Sequence, residues 1–161
     1  MRRILASAAG VALVIGLGAG SASATLVGEQ GCTPGYWKQS QHFDTWEEAH
    51  PDTLLTFDHN SPNIGPFVNT TNDLNGDGAP DTFLDALNFK GGPGLEGAER
   101  NLMRAAVAAW LNAANEGLGY PDRRKDMVPA INAAIASGDR ATMLALAEEL
   151  DAMNNLGCPL N

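Results

Sequence analysis

Residues 95–115 read LEGAERNLMRAAVAAWLNAAN. Within this stretch Leu102, Met103, Ala106, Val107, Ala109, Trp110 and Ala113 recur at helical spacing. They cover more than one narrow stripe, so the helix is expected to be contacted from several sides and to sit centrally. Lys90-Gly91-Gly92-Pro93-Gly94 breaks the chain before it, and Gly117 and Gly119 stop it.

Outward from this helix, two more amphipathic segments follow. The first is expected from about Lys125 to Ala136, with Met127, Ile131, Ala134 and Ile135 on one face. Pro129 suits only a first turn, which predicts a start near Asp126. Gly138 ends that helix and Asp139 caps the next, Arg140 to Asn154, which carries Met143, Leu146, Ala147, Leu150 and Met153. On the N-terminal side, residues 32–66 are aromatic and irregular. Thr33-Pro34 has the form of an N-cap followed by proline at the first helical position. Asp44-Thr45-Trp46-Glu47 has the form of a capping box, with Pro51 ending that element. Thr82 to Phe89 predicts a short helix in which Phe83 and Leu87 stack.

The first residues have the form of an export signal. Arg2 and Arg3 precede the apolar run Ile4 to Gly20, and Ala22-Ser23-Ala24 is a small-residue cleavage site. Cleavage near Ala24 is expected, giving a secreted, extracellular or periplasmic product. Residues 25–31 are then a flexible lead, and 32–161 a single domain: an aromatic half over 32–90 and a helical half over 95–161. The formal net charge of the whole chain is −9. The signal carries two arginines and no acid, so its removal makes the product more acidic still. That charge argues against nucleic acid and, after cleavage, against anionic membranes as partners. It suits cations. An extracellular polysaccharide or protein is the expected kind of partner.

The chain has two cysteines, Cys32 and Cys158. In an exported chain a disulfide between them is the expectation. Neither has a second cysteine or histidine at metal-ligand spacing, which argues against a zinc site.

Asp73-Leu74-Asn75-Gly76-Asp77-Gly78-Ala79-Pro80-Asp81 carries the clearest chemistry. Side-chain oxygens recur at loop positions 1, 3, 5 and 9, as Asp73, Asn75, Asp77 and Asp81, and Gly78 follows the third where the backbone must turn. Ala79 offers its backbone carbonyl. Hard oxygens in this alternation are what calcium needs, so Ca2+ in a structural role is the expected cofactor. Asp85 is a candidate extra ligand. Without a cation the three aspartates would repel one another.

The loop resembles those of FG-GAP repeats, thrombospondin type-3 repeats and dockerins, and in part EF-hands. It departs from the EF-hand pattern in having Leu84 at the twelfth position and no glutamate there. These families repeat the loop, whereas here it occurs once; the resemblance implies the ion and not the fold. A second resemblance covers most of the chain. Gly31-Cys32-Thr33-Pro34-Gly35-Tyr36-Trp37-Lys38, with an Ala-rich helical half and a closing Gly157-Cys158-Pro159, is similar to an exported bacterial domain family that opens with this signature. That implies a secreted setting and these domain limits, without implying an activity. Tyr36, Trp37 and Trp46 would either fill the core or form a candidate binding surface for sugars or a partner.

His42, His50 and His59 show no ligand pairing, and no catalytic residue is singled out. There is no Gly-x-Ser-x-Gly, His-Glu-x-x-His or phosphate loop. The expected fold is therefore mainly α: an irregular aromatic-rich N-terminal half with short helices packed on about three C-terminal helices, one calcium loop and one terminal disulfide. The expected function is that of a secreted, calcium-stabilised, non-enzymatic binding or extracellular-matrix protein. The alternative is an exported hydrolase of polysaccharide or peptide with structural calcium.

Overall fold

The computed structural model describes residues 29–56, 65–68 and 71–160. The expected export signal, most of the lead and His59 lie outside the described residues. The regular elements are α1 (Pro34–Trp37), a 3-10 helix (Ser40–Thr45), α2 (Phe83–Asn88), α3 (Gly94–Ala114), α4 (Arg124–Ala136) and α5 (Arg140–Asn154). The fold is mainly helical. Among the described residues β pairing is limited to three isolated bridges, Gly31–Gly157, Leu54–Thr82 and Thr56–Phe67. Also among them, no helix is long and apolar enough to cross a membrane.

Helix α3 is the axis of the molecule. Its 21 residues span about 30 Å. Every residue from Ala105 to Asn112 is buried, because α5 packs along one side while α1, α2 and α4 pack on others. The alanines at 105, 106, 108 and 109 let neighbouring backbones approach closely. Leu102, Met103 and Val107 supply the bulk, each stabilising the fold by about 1.5–3 kcal/mol through burial.

Helix α5 has the predicted bounds. Asp139 caps it, its carboxylate accepting from the Thr142 N–H at 2.9 Å. Helix α4 starts two residues earlier than predicted, at Arg124, and so carries Pro129 inside it. The proline ring removes one backbone N–H from the ladder. Lys125, whose carbonyl would have accepted it, is exposed, as is Pro129. Water can satisfy that carbonyl, which makes the proline tolerable there.

The N-terminal half is organised by one buried amide. Asn112 Oδ1 accepts from the Cys32 N–H at 2.8 Å and from the Trp37 indole at 3.0 Å. Asn112 Nδ2 donates to the Cys32 carbonyl and to Asn154 Oδ1, both at 2.9 Å. Cys32 is joined to Cys158 by the expected disulfide. The residues just before the cysteine are also held. Gln30 N–H bonds the Gly119 carbonyl and Gly31 N–H the Gly157 carbonyl, each at 3.1 Å. These two residues of the expected lead are therefore pinned to the domain.

The capping box anticipated at Asp44 does not form. Ser40–Thr45 is a 3-10 helix that ends where the box would begin, and Trp46 is extended. Long-range contacts override the local signal. The Trp46 indole donates to the Trp37 carbonyl at 3.2 Å, and Glu47 accepts from the Glu116 N–H at 3.1 Å. Glu48 takes a positive φ of 59° and forms a bidentate pair with Arg124.

Candidate functional site

The Asp73–Asp81 loop lies between the irregular half and α2, and its local structure follows from its residue types. Asp73 Oδ1 accepts from the N–H groups of Gly76 and Asp77 at 2.7 and 3.0 Å, and Oδ2 from Gly78 at 2.9 Å. Asn75 Oδ1 accepts from Asp77 N–H, and Asp77 Oδ1 from Ala79 N–H. Each short polar side chain thus turns the backbone around itself. Gly76 and Gly78 sit at φ of 78° and 88°, where a side chain would be strained.

Asp81 closes the loop. Its N–H bonds the Asn72 carbonyl at 2.8 Å, and its own carbonyl accepts from the Leu55 N–H at 2.9 Å. Its Oδ2 accepts from the Leu74 N–H. Asp81 is only 2% exposed, and Oδ1 is buried with no hydrogen-bond partner. Burial pushes this carboxyl above its usual range, the Leu74 and Asn75 N–H groups oppose the shift, and the nearby Asp85 and Asp73 charges add to it. A buried carboxylate oxygen without a partner is costly, and protonation, a water or a cation would each relieve it.

The proposed ligands divide by exposure. Asn75, Asp77 and Ala79 are exposed, Asp73 and Asp85 are half-buried, and Asp81 is buried. Asp85 completes a capping box for α2, its Oδ2 accepting from both the N–H and the hydroxyl of Thr82. Among the described residues no three histidine, cysteine, aspartate or glutamate side chains stand together as a metal cluster. Asp73, Asp77 and Asp81 are thus not gathered into such a cluster; the loop's donors are these carboxylates, one amide oxygen and one backbone carbonyl. That is a hard-oxygen set suited to calcium.

Sequence reasoning missed two residues that seat the loop. Leu74 is 3% exposed and anchors it in the core. The Leu74 carbonyl accepts from Arg100 Nη1 on α3 at 2.9 Å. An apolar residue between two polar ligands was a signal for the first; nothing in the sequence pointed to the second.

The aromatic residues split. Trp37 and Trp46 are buried, which is the core alternative rather than the displayed one. Tyr36 is half-buried, stacks on His42 at 3.8 Å between ring centroids and donates to the Leu160 carbonyl. Among the described residues, two surface hollows are further candidates. One of about 200 Å3 lies between α3 and α5, with Arg104, Glu148 and Asp151 around Ala105 and Ala147. The other, about 480 Å3, has Tyr120, Arg123, Arg124 and Lys125 at the start of α4. Neither contains a buried side-chain atom left without a partner. No protein-family model, curated protein or solved structure matches the chain.

Proposed function

We propose that the protein is an exported, calcium-stabilised, non-enzymatic binding or matrix protein. The observation that carries the calcium reading is the buried, unpartnered Oδ1 of Asp81 at the closing position of a hard-oxygen loop. Asp73, Asn75, Asp77, the Ala79 carbonyl and Asp81 would hold the ion. When bound, calcium would neutralise the three aspartates and brace the turn.

The loop's position supports a structural role. Asp81 joins it to Leu55, and Leu74 joins it to the core and to α3. An ion there would stiffen the irregular half, which has few helical hydrogen bonds of its own. At about 1 mM calcium and a site constant of ~10 µM, occupancy would add roughly 2.7 kcal/mol to stability. The acidic charge, the cysteine pair and the export-type N-terminus support an extracellular setting. A hydrolytic reading needs carboxylates facing each other across a cleft, whereas Glu148 and Asp151 in the α3–α5 hollow belong to one helix.

Calorimetry tests the reading directly. The melting temperature should rise on going from chelator to millimolar calcium, and titration should show heat for one site. An unchanged melting temperature with no heat would reject it.

A further inference from the structure

Asn75-Gly76 is the one Asn-Gly pair in the chain, and its neighbours supply what an internal amide exchange needs. An asparagine side chain is open to attack by the backbone nitrogen of the next residue. The attack needs an unshielded nitrogen, a base for its proton and a donor for the carbonyl oxygen that gains charge. Gly76 has no side chain to cover its nitrogen, and nothing stands within 4 Å of where a Cβ would be. Both Asn75 and Gly76 are exposed. The Gly76 N–H donates to Asp73 Oδ1 at 2.7 Å. Asn75 Oδ1 accepts from the Asp77 N–H at 2.8 Å, a donor it shares with Asp73 Oδ1 at 3.0 Å. Asn75 Nδ2 donates to Asp77 Oδ2 at 3.1 Å, which holds the amide in this orientation.

We propose that Asn75 is a self-modification site, at which the folded loop promotes its own deamidation. The Gly76 nitrogen bonds to Asn75 Cγ, and its proton passes to Asp73 Oδ1. The Asp77 N–H steadies the charge that develops on Asn75 Oδ1. The Cγ–Nδ2 bond then breaks, and ammonia leaves with the proton that Asp73 took up. Water opens the resulting succinimide at either carbonyl, giving an aspartyl or an isoaspartyl linkage. Both products place a fourth carboxylate among Asp73, Asp77 and Asp81, which adds to their mutual repulsion. The isoaspartyl product also lengthens the backbone by one carbon. The turn that Asp73 closes on the Gly76, Asp77 and Gly78 N–H groups cannot then keep its register. Asn155 is the contrast. It is also exposed, but Leu156 follows it, and its Nδ2 donates to the Asp151 carbonyl at 2.7 Å.

The test follows the full chain at neutral pH in chelator, where no cation competes for Asp73 and Asn75. Digestion and mass spectrometry read conversion at each asparagine, and enzymatic isoaspartate methylation reads the rearranged product. A synthetic peptide of residues 71–83 gives the rate without the fold. The folded chain should convert Asn75 at least as fast as the peptide, and at least about tenfold faster than Asn155. Asp73→Asn keeps an oxygen for the Gly76 N–H but removes the base. It should slow conversion at least about tenfold in the folded chain and less than about twofold in the peptide. Circular dichroism checks that the variant is folded, and the comparison of chain with peptide needs no variant. Slower conversion of Asn75 in the folded chain than in the peptide would overturn the proposal. So would a folded Asp73→Asn chain that converts as fast as the wild type or faster.

Discussion

Asn112 on α3 donates its side-chain amide to Asn154 Oδ1 on α5 across 2.9 Å, and both residues are fully buried. Asn112 also holds both backbone groups of Cys32 and the Trp37 indole. Asn154 Nδ2 donates to the Ala105 carbonyl, and Asn154 Oδ1 also accepts from the Tyr120 hydroxyl at 3.0 Å. Burial raises the Tyr120 pKa further, so the phenol stays a neutral donor. Two amides thus tie the N-terminal signature segment to the two longest helices.

Asn112→Ala should be severely destabilising. It strands the Cys32 N–H and carbonyl, the Trp37 indole and one side of Asn154 in a dry core. At about 1–3 kcal/mol for each stranded group, a total loss of at least about 3 kcal/mol is expected. Urea denaturation measures it. Asn155→Ala, at the exposed end of α5, should cost under about 1 kcal/mol. Equal effects for the two variants would contradict the role given to Asn112.

Removing the disulfide should weaken the domain without changing its fold. The bond closes a loop of 126 residues. Chain-entropy arguments put such a cross-link at about 4–5 kcal/mol. Because Asn112 and the Gly31–Gly157 bridge hold the same termini independently, Cys32→Ala with Cys158→Ala should keep native helix content. Circular dichroism checks the fold and urea denaturation the loss. An unfolded double variant in calcium buffer would show that the network cannot hold the ends alone.

Asp81→Asn should separate the two states of the loop. In calcium the substitution removes a ligand charge, and the calcium-dependent rise in melting temperature should largely vanish. In chelator the same change removes a buried charge whose Oδ1 lacks a partner, so the variant should melt at or above the wild-type temperature. The sign follows from the raised pKa of Asp81, which means that folding disfavours its charged form. A variant that melts well below wild type in chelator would contradict this account.

Glu48 and Arg124 should give a small stability term with a defined acid edge. The Arg124 hydrogen bond lowers the Glu48 pKa below its usual value of 4.5, with burial opposing it and the Arg124 charge adding to it. The term is fully present above the unfolded value and is lost as pH falls through the lower folded value. Both side chains are solvent-accessible, so Arg124→Gln should cost under about 1 kcal/mol at pH 7 from this pair. Loss of the guanidinium over the Trp110 ring, 4.9 Å from its centroid, adds to it. In an NMR titration the Glu48 pKa should rise toward 4.5 in the variant. An unmoved Glu48 would mean that the pair does not persist in solution.

Much of the helical half was legible because its signals are local. The Asp139 cap and the spacing of Met143, Ala147 and Leu150 predicted α5 to the residue, and the glycine breaks isolated α3. The start of α4 was misplaced because a rule about proline concerns one hydrogen bond, and exposure decides whether losing it matters. The Asp44 capping box failed for a related reason: Trp46 and Glu47 satisfy partners at Trp37 and Glu116 instead. The candidate loop was legible in its ligand spacing, but not in how it is seated. Asp81 looks like its fellow ligands in sequence, yet it alone is buried.

The sequence by itself determined most of the helices and the alternation of oxygen-bearing side chains, since these depend on residue type and short spacing, and the pairing of its only two cysteines, since no other partner exists. Tertiary structure alone decided which polar groups are dry. Asn112 falls within the buried run of α3, and its significance comes from Cys32 and Trp37, which are brought to it from about eighty residues away. Asp81 Oδ1 is buried without a partner, beside a Leu74 that is itself in the core. Burial is a property of the packed chain, and in this protein it separates an ordinary polar residue from one on which the packing depends.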